Sequence, residues 1–253
     1  MAWVIGCDRG GVVARRPDPL EAARASCFDG LVSRRERREP FQYLTGEQEF
    51  RGLSFLVDRR VLVPRPETEG LVGAALDLRL PSGAAVADLG TGSGCIAVSL
   101  AVARPDLRLY ALDLSAESLE VARENAARHG VAHRVSFLLG DLADPRGEWL
   151  GRMDAVVSNP PYVSELEMEG LAPEVREHEP GMALVSGPTG LEAYQALAPG
   201  AYRLLRPGGA LLLELGFLRE TGARRAVEDS GFLNVAVRSD PRGIPRVLIA
   251  WRP

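Results

Sequence analysis

From Ala84 onward the chain repeats one unit: a short apolar run that ends in a polar residue or glycine, then a segment with apolar residues at helical spacing. The runs are "AVADLG", "RLYALDLS", "VSFLLGDL", "MDAVVSNPPY" and "GGALLLELG". Between them lie "GCIAVSLAVAR", "AESLEVARENAARHG", "GLEAYQALAPGAYRLL" and, after the last, "LRETGARRAVEDSG". Strands apolar on both faces must be covered from both sides, so this alternation predicts a mostly parallel α/β sheet between two helical layers. "NVAVRSD" and "PRVLIAWR", joined around "PRGI", predict a closing antiparallel hairpin. A loop and short helix are expected after Leu142, and 163–188 reads as a long, irregular, acidic connection.

Ahead of Ala84 the pattern is less regular. "WVIGC" suggests a short strand and "DRGGVVARRPDP" a loop. Leu20 to Arg38 carries apolar residues at helical spacing, with "RRERRE" as its solvated end and Pro40 as its stop. Residues 41–63 alternate around Gly46 and Gly52 and predict a β-hairpin. "PRPETE" leads into a further helix, with Thr68 or Glu67 as its cap and Glu69 at its positive end. The expected organisation is a short N-terminal helical region over 1–39, a β-hairpin linker over 40–66 and the sheet domain over 67–253.

Composition narrows the function classes. The 253 residues carry a net charge of −4, which disfavours a broad nucleic-acid or membrane footprint. Every basic side chain is arginine. Cys7, Cys27 and Cys95 have neither disulfide-framework nor metal spacing and fit a reduced, cytoplasmic setting. No run of apolar residues is long enough to span a bilayer. His129, His133 and His178 read as surface residues, and Trp3, Trp149 and Trp251 as packing residues.

The chemistry-bearing residues fall where the runs end. In "DLGTGSG", Gly90, Thr91, Gly92, Ser93 and Gly94 form a tight turn before a helix N-terminus, with Asp88 just ahead of it. Asp113 ends the next run and suits the two hydroxyls of a ribose; Asp141, beside Leu142, ends the third and suits an adenine amino group. Either carboxylate alone is also consistent with a helix cap. No arginine stands in the glycine turn, so it makes a poor pyrophosphate cradle and fits an adenosine bearing a cation: S-adenosylmethionine. The fourth run ends in Asn159-Pro160-Pro161-Tyr162. Consecutive prolines stiffen the backbone behind Asn159. The Asn159 side-chain oxygen and the Pro160 carbonyl can accept both hydrogens of a planar –NH2 group, and the Tyr162 ring can stack on its flat face.

In this order, "DLGTGSG", "ALDLS", "GDL" and "NPPY" resemble a class I S-adenosylmethionine-dependent methyltransferase with a Rossmann-like, seven-stranded sheet, acting on a planar nitrogen. "REPFQYLTGEQEFRGLSFLVDRRVLVPRPETE", "EHEPGMALVSGPTGLEAY" and "ELG" are similar to the HemK/PrmC family, which methylates the glutamine of the Gly-Gly-Gln motif in peptide chain release factors. The resemblance implies cofactor contacts from Gly90 to Gly94, Asp113 and the 141–142 pair, with Asn159 shared, and substrate contacts from Asn159 to Tyr162. It leaves Arg65, Glu67 and Glu69 beside the pocket, as contacts or as a salt bridge. The alternatives are a ribosomal-protein glutamine methyltransferase, an adenine-N6 nucleic-acid methyltransferase and a non-catalytic cofactor-binding protein; oligomeric state stays open. Two features depart from the family pattern: one convincing helix precedes the hairpin, and "ELGFLRE" lacks a glutamine that often follows the Glu-Leu-Gly.

Overall fold

A computed structural model describes residues 1–14, 19–144 and 149–253. Along the chain run α1 (Ala2–Ile5), α2 (Arg9–Ala14), α3 (Ala22–Glu36), α4 (Phe41–Thr45), β1 (Glu47–Phe50), β2 (Leu53–Leu56) and α5 (Thr68–Asp77). There follow β3 (Ala85–Leu89), α6 (Cys95–Ala103), β4 (Arg108–Asp113), α7 (Ala116–Arg128), β5 (Val135–Leu139) and β6 (Met153–Ser158). The last elements are α8 (Glu165–Met168), α9 (Pro173–Arg176), α10 (Glu192–Leu204), β7 (Leu205–Glu214), α11 (Glu220–Asp229), β8 (Leu233–Ser239) and β9 (Pro245–Trp251).

Seven strands form one sheet in the order β5-β4-β3-β6-β7-β9-β8. All pairings from β5 to β7 are parallel; β9 runs antiparallel between β7 and β8, as the closing hairpin predicts. One apolar layer buries Leu71, Val98, Leu100 and Leu109, and the other buries Tyr194, Leu197, Leu211, Leu213 and Phe232. β3 is buried at every residue, which is why its run shows no polar alternation. The strand order reverses direction between β3 and β6, and a crevice opens there at the carboxyl ends of the strands.

The N-terminal third departs from the sequence expectations. Phe41–Thr45 is a helical turn, not a strand: Pro40 sets its start, and Gly46 ends it at φ 76°. Tyr43 and Leu44 turn inward from it, a spacing that five residues cannot distinguish from alternation. The hairpin is β1–β2, turning at Arg51 and Gly52. "WVI" belongs to α1, which Gly6 caps, and 9–14 of the expected loop is α2, while 15–18 of it lies outside the described residues. Among the described residues, four helices therefore precede the hairpin, not one. The helix expected after Leu142 falls partly on 145–148, also outside the described residues; 142–144 and 149–150 are turn or bend.

The arginine run is not merely solvated. Arg35 and Arg38 grip the two Glu174 oxygens at 2.8 and 2.9 Å, tying the end of α3 to α9. Trp149 packs edge-on against Tyr110, whereas Trp3 is 55% exposed and does not pack as expected. His129 is partly buried, with its ring 2.9 Å from the Ser54 carbonyl. Among the described residues, no helix is long and apolar enough to cross a membrane.

Candidate active site

The turn after β3 lies across the end of β4. The Gly90 and Thr91 amides both donate to the Leu112 carbonyl, at 2.8 and 3.0 Å. Gly90 and Gly92 sit at φ 74° and 55°, which a side chain at either position would oppose. The Asp113 carboxylate locks the turn: Oδ2 accepts from the Gly92 amide at 2.8 Å and Oδ1 from the Ser115 amide at 2.9 Å. Each oxygen keeps a lone pair for a ligand hydroxyl. Burial raises the Asp113 pKa, and the amides at Ser115, Gly92 and Leu114 oppose that rise.

Behind the turn, Asp88 is fully buried. Its Oδ2 accepts from the Thr91 hydroxyl at 2.7 Å and the Ala97 amide at 3.2 Å, which fastens the turn to the start of α6. Burial pushes its pKa up to about 7.

A cleft of about 700 Å³ opens in front of the turn, within the usual range for small-ligand sites. Gly90, Thr91, Gly92, Ser93, Asp113, Asp141, Leu142, Asn159 and Pro161 all line it. Asp141 is exposed and also accepts from the Ala143 amide at 2.8 Å, so it caps its own turn while bordering the cleft.

Asn159 stands at the cleft wall in a defined orientation. Its Nδ2 donates to the Thr68 hydroxyl oxygen at 3.3 Å, while its Oδ1 is buried and has no hydrogen-bond partner. Among the described residues, no main-chain amide donates to the Pro160 carbonyl. Two acceptors are thus left uncommitted on one short segment. An uncommitted buried acceptor is costly unless a ligand completes it. A set of acceptors, the Asp113 carboxylate and uncommitted carbonyl oxygens, beside turn amides that already donate to the protein, matches an adenosyl cation better than a pyrophosphate.

Four of the expected site residues do not line the cleft: Asp88, Gly94, the buried Pro160 and Tyr162. Asp88 supports the glycine turn from beneath. Gly94 caps α6 at φ 79°, and a Cβ there would come 3.1 Å from that of Ala122, so it serves the packing of α6 on α7. Tyr162 does not line the cleft; it packs against Gly216, where an added Cβ would fall 2.6 Å from its ring, and its hydroxyl approaches Glu214 at 3.5 Å. Arg65 does both things the sequence left open: it lines the cleft and pairs with the buried Glu179 at 2.5 Å. Glu69 instead holds the hairpin turn, accepting from the Arg51 amide at 3.0 Å, and Glu67 borders a second, smaller cavity.

The sequence reading missed most of the far wall of the cleft, 59–62, Pro64 and 180–183, and the support behind Asn159. Thr68 caps nothing; it is 2% exposed and points at Asn159 and Glu214. The Glu214 carboxyl is 1% exposed, and burial raises its pKa to about 7 against the Thr68 hydrogen bond and the Arg246 charge. The signal for both was proximity in sequence to quoted motifs, "PRPETE" and "ELG".

Comparisons with known proteins identify the relatives of this chain. Residues 72–175 match a family model described as the methyltransferase small domain, and residues 1–46 one described as the PrmC N-terminal domain. The chain is 43% identical over 248 residues to the release factor glutamine methyltransferase of Geobacter sulfurreducens, spanning 98% of this chain and 86% of that one. It is 44% identical over 253 residues to that of Cereibacter sphaeroides, spanning 100% and 89%. Among solved structures, TrmN from Thermus thermophilus superposes with a TM-score of 0.52 at 28% identity, over 76% of this chain and 49% of that one. The methyltransferase SibL superposes with a TM-score of 0.52 at 21% identity, over 74% and 55%, and speaks for the fold alone.

Proposed function

The chain belongs to the release factor glutamine methyltransferase family, and from that premise we propose that its cleft transfers a methyl group from S-adenosylmethionine to the side-chain amide nitrogen of a glutamine in the Gly-Gly-Gln motif of a peptide chain release factor. The observation that carries the reading is the uncommitted Asn159 Oδ1, in the same cleft as Asp113 and the glycine turn, on a segment whose Pro160 carbonyl takes no main-chain hydrogen bond among the described residues. When bound, S-adenosylmethionine supplies an electrophilic methyl group.

Everything else falls to this chain. Asp113 and the close-approaching backbone of the glycine turn hold the nucleoside, with Asp141 and Leu142 at its base. Asn159 Oδ1 and the Pro160 carbonyl accept the two amide hydrogens of the glutamine and aim its nitrogen across the cleft. An amide nitrogen is a weak nucleophile because its lone pair is delocalised; two acceptors draw density back onto it, and fixed alignment removes part of the remaining barrier. The nitrogen surrenders a proton to solvent only as the N–C bond forms, the two acceptor oxygens hydrogen-bonding the amide until then. Tyr162 holds the segment from behind rather than stacking on the substrate. The natural setting of such a substrate is the cytoplasm.

The test supplies purified protein with methyl-labelled S-adenosylmethionine and, in parallel, a release factor, ribosomal protein and an oligonucleotide. Label is expected on a glutamine of the release factor. Label on the oligonucleotide alone would replace this reading with adenine methylation.

A further inference from the structure

S-adenosylmethionine is an adenosyl sulfonium with a short amino-acid tail, and that tail ends in a carboxylate. A carboxylate entering a cleft gives up water and needs donors in return. Of the charged residues that line the cleft, Asp113, Glu117 and Asp141 repel such a group, while Arg59, Arg60 and Arg65 attract it. The Gly90, Thr91, Gly92 and Gly94 amides already donate to protein oxygens. The choice falls among the arginines.

Two of them stand at the wrong end. The Arg60 guanidinium is closed in a two-pronged pair with Asp58, at 2.9 and 2.7 Å. The Ser118 hydroxyl donates to the Arg60 carbonyl at 2.9 Å, which sets Arg60 and the exposed Arg59 before it over the start of α7, on the Asp113 side. Arg65 stands on the Asn159 side. The Thr68 amide donates to the Arg65 carbonyl at 3.1 Å, and Thr68 Oγ1 accepts from Asn159 Nδ2 at 3.3 Å. With the adenosyl group at Asp113 and the methyl group facing Asn159, a short tail keeps its carboxylate near the point of transfer.

The Arg65 fork is anchored at one edge and open at the other. Its Nη2 donates to Glu179 Oε1 at 2.5 Å, and Glu179 Oε2 accepts from the Val63 amide at 3.2 Å. The Glu179 side chain is 1% exposed and that of Arg65 is 31% exposed. Among the described residues, the remaining guanidinium N–H groups donate to no protein acceptor. A planar fork held in place with donors to spare is matched to a carboxylate.

We infer that Arg65 binds the carboxylate of the S-adenosylmethionine tail, its fork held at the cleft wall by the buried Glu179. The inference rests on the reading of the cleft as an S-adenosylmethionine site.

The experiment measures, by titration calorimetry, the Kd of S-adenosylhomocysteine and of its decarboxylated form, which keeps the amine and lacks only the carboxylate. Wild type is expected to bind S-adenosylhomocysteine about tenfold or more tightly than the decarboxylated form. Arg65→Met is expected to weaken S-adenosylhomocysteine about tenfold or more and to leave the decarboxylated form within about threefold of wild type. The double variant Arg65→Met, Glu179→Gln removes both charges, leaves no buried ion unpaired, and is expected to behave as Arg65→Met does; it decides where the single variant does not fold. A wild type that binds the two ligands equally overturns the inference. So does a variant that keeps the wild-type preference, because the carboxylate is then held elsewhere, or one that weakens both ligands alike, because Arg65 is then structural. A wild type that binds neither ligand removes the cofactor reading itself.

Discussion

Asp113 combines two tasks that are usually separate. It pins the Gly92 amide and keeps lone pairs for a ligand, so its removal should loosen the turn as well as lose direct contacts. Hydrogen bonds to a charged group contribute about 1.5–3 kcal/mol each, so Asp113→Ala should weaken S-adenosylmethionine binding by roughly tenfold to a hundredfold. Titration calorimetry reads this directly, and an unchanged Kd would remove Asp113 from the cofactor site. Asp113 was legible because strand-end carboxylates are visible wherever the apolar run stops. Asp88 was misassigned for a related reason. It occupies the same kind of position one strand earlier, but its side chain turns under the loop instead of over it, and a sequence does not record that direction. Thr68 was legible only as a cap candidate, because its hydrogen-bond partner lies 91 residues away at Asn159.

At the scale of elements, the Asn-Pro-Pro-Tyr segment is held by contacts that tolerate no Cβ. Gly216 follows β7, and a methyl group there would lie 2.6 Å from Tyr162 Cδ2; its amide donates to the Tyr194 hydroxyl at 3.0 Å. Arg219 adds a further tie, donating to the Tyr162 carbonyl at 3.2 Å. Gly216→Ala must therefore displace the Tyr162 ring, at a cost of about 1–3 kcal/mol from overpacking. Since a displacement of about 1 Å at a reacting group can cost a hundredfold, kcat should fall by at least about tenfold while the cofactor Kd changes little. A denaturant melt together with steady-state kinetics tests both halves; wild-type kcat in a destabilised protein would show that Tyr162 has no part in aligning the segment. The strands of the main sheet were legible because each is buried on both faces and therefore continuously apolar. The linker was not, because Phe41–Thr45 is too short for a helical period to emerge, and its helical state depends on Tyr43 reaching the Val61 carbonyl at 2.6 Å.

Over the whole molecule, the alternation of apolar runs specified the parallel sheet, and the reversal of strand order between β3 and β6 placed the cleft. What the pattern could not specify is electrostatic: the carboxyl edge of the sheet gathers buried acids from β3, β4 and β7. Asp88 and Glu214 are both raised to about 7, and burial also raises Asp113. Asp88 and Glu214 stay protonated in the folded protein where the unfolded chain has already ionised them. The stability they confer is therefore complete below the unfolded value near 4 and is lost as pH rises towards 7. Surface carboxylates run the other way: Glu39 and Glu47, held low by hydrogen bonds from Arg34 and Arg128, contribute above the unfolded value and lose that contribution as pH falls. The cofactor-free protein should thus be most stable in mildly acidic solution, and its melting temperature should decline between about pH 5 and about pH 8. The double variant Asp88→Asn, Glu214→Gln removes the two largest contributors on that limb and should flatten the decline. If wild type and double variant instead run parallel from pH 5 to pH 8, the two acids are ionised in the folded state throughout.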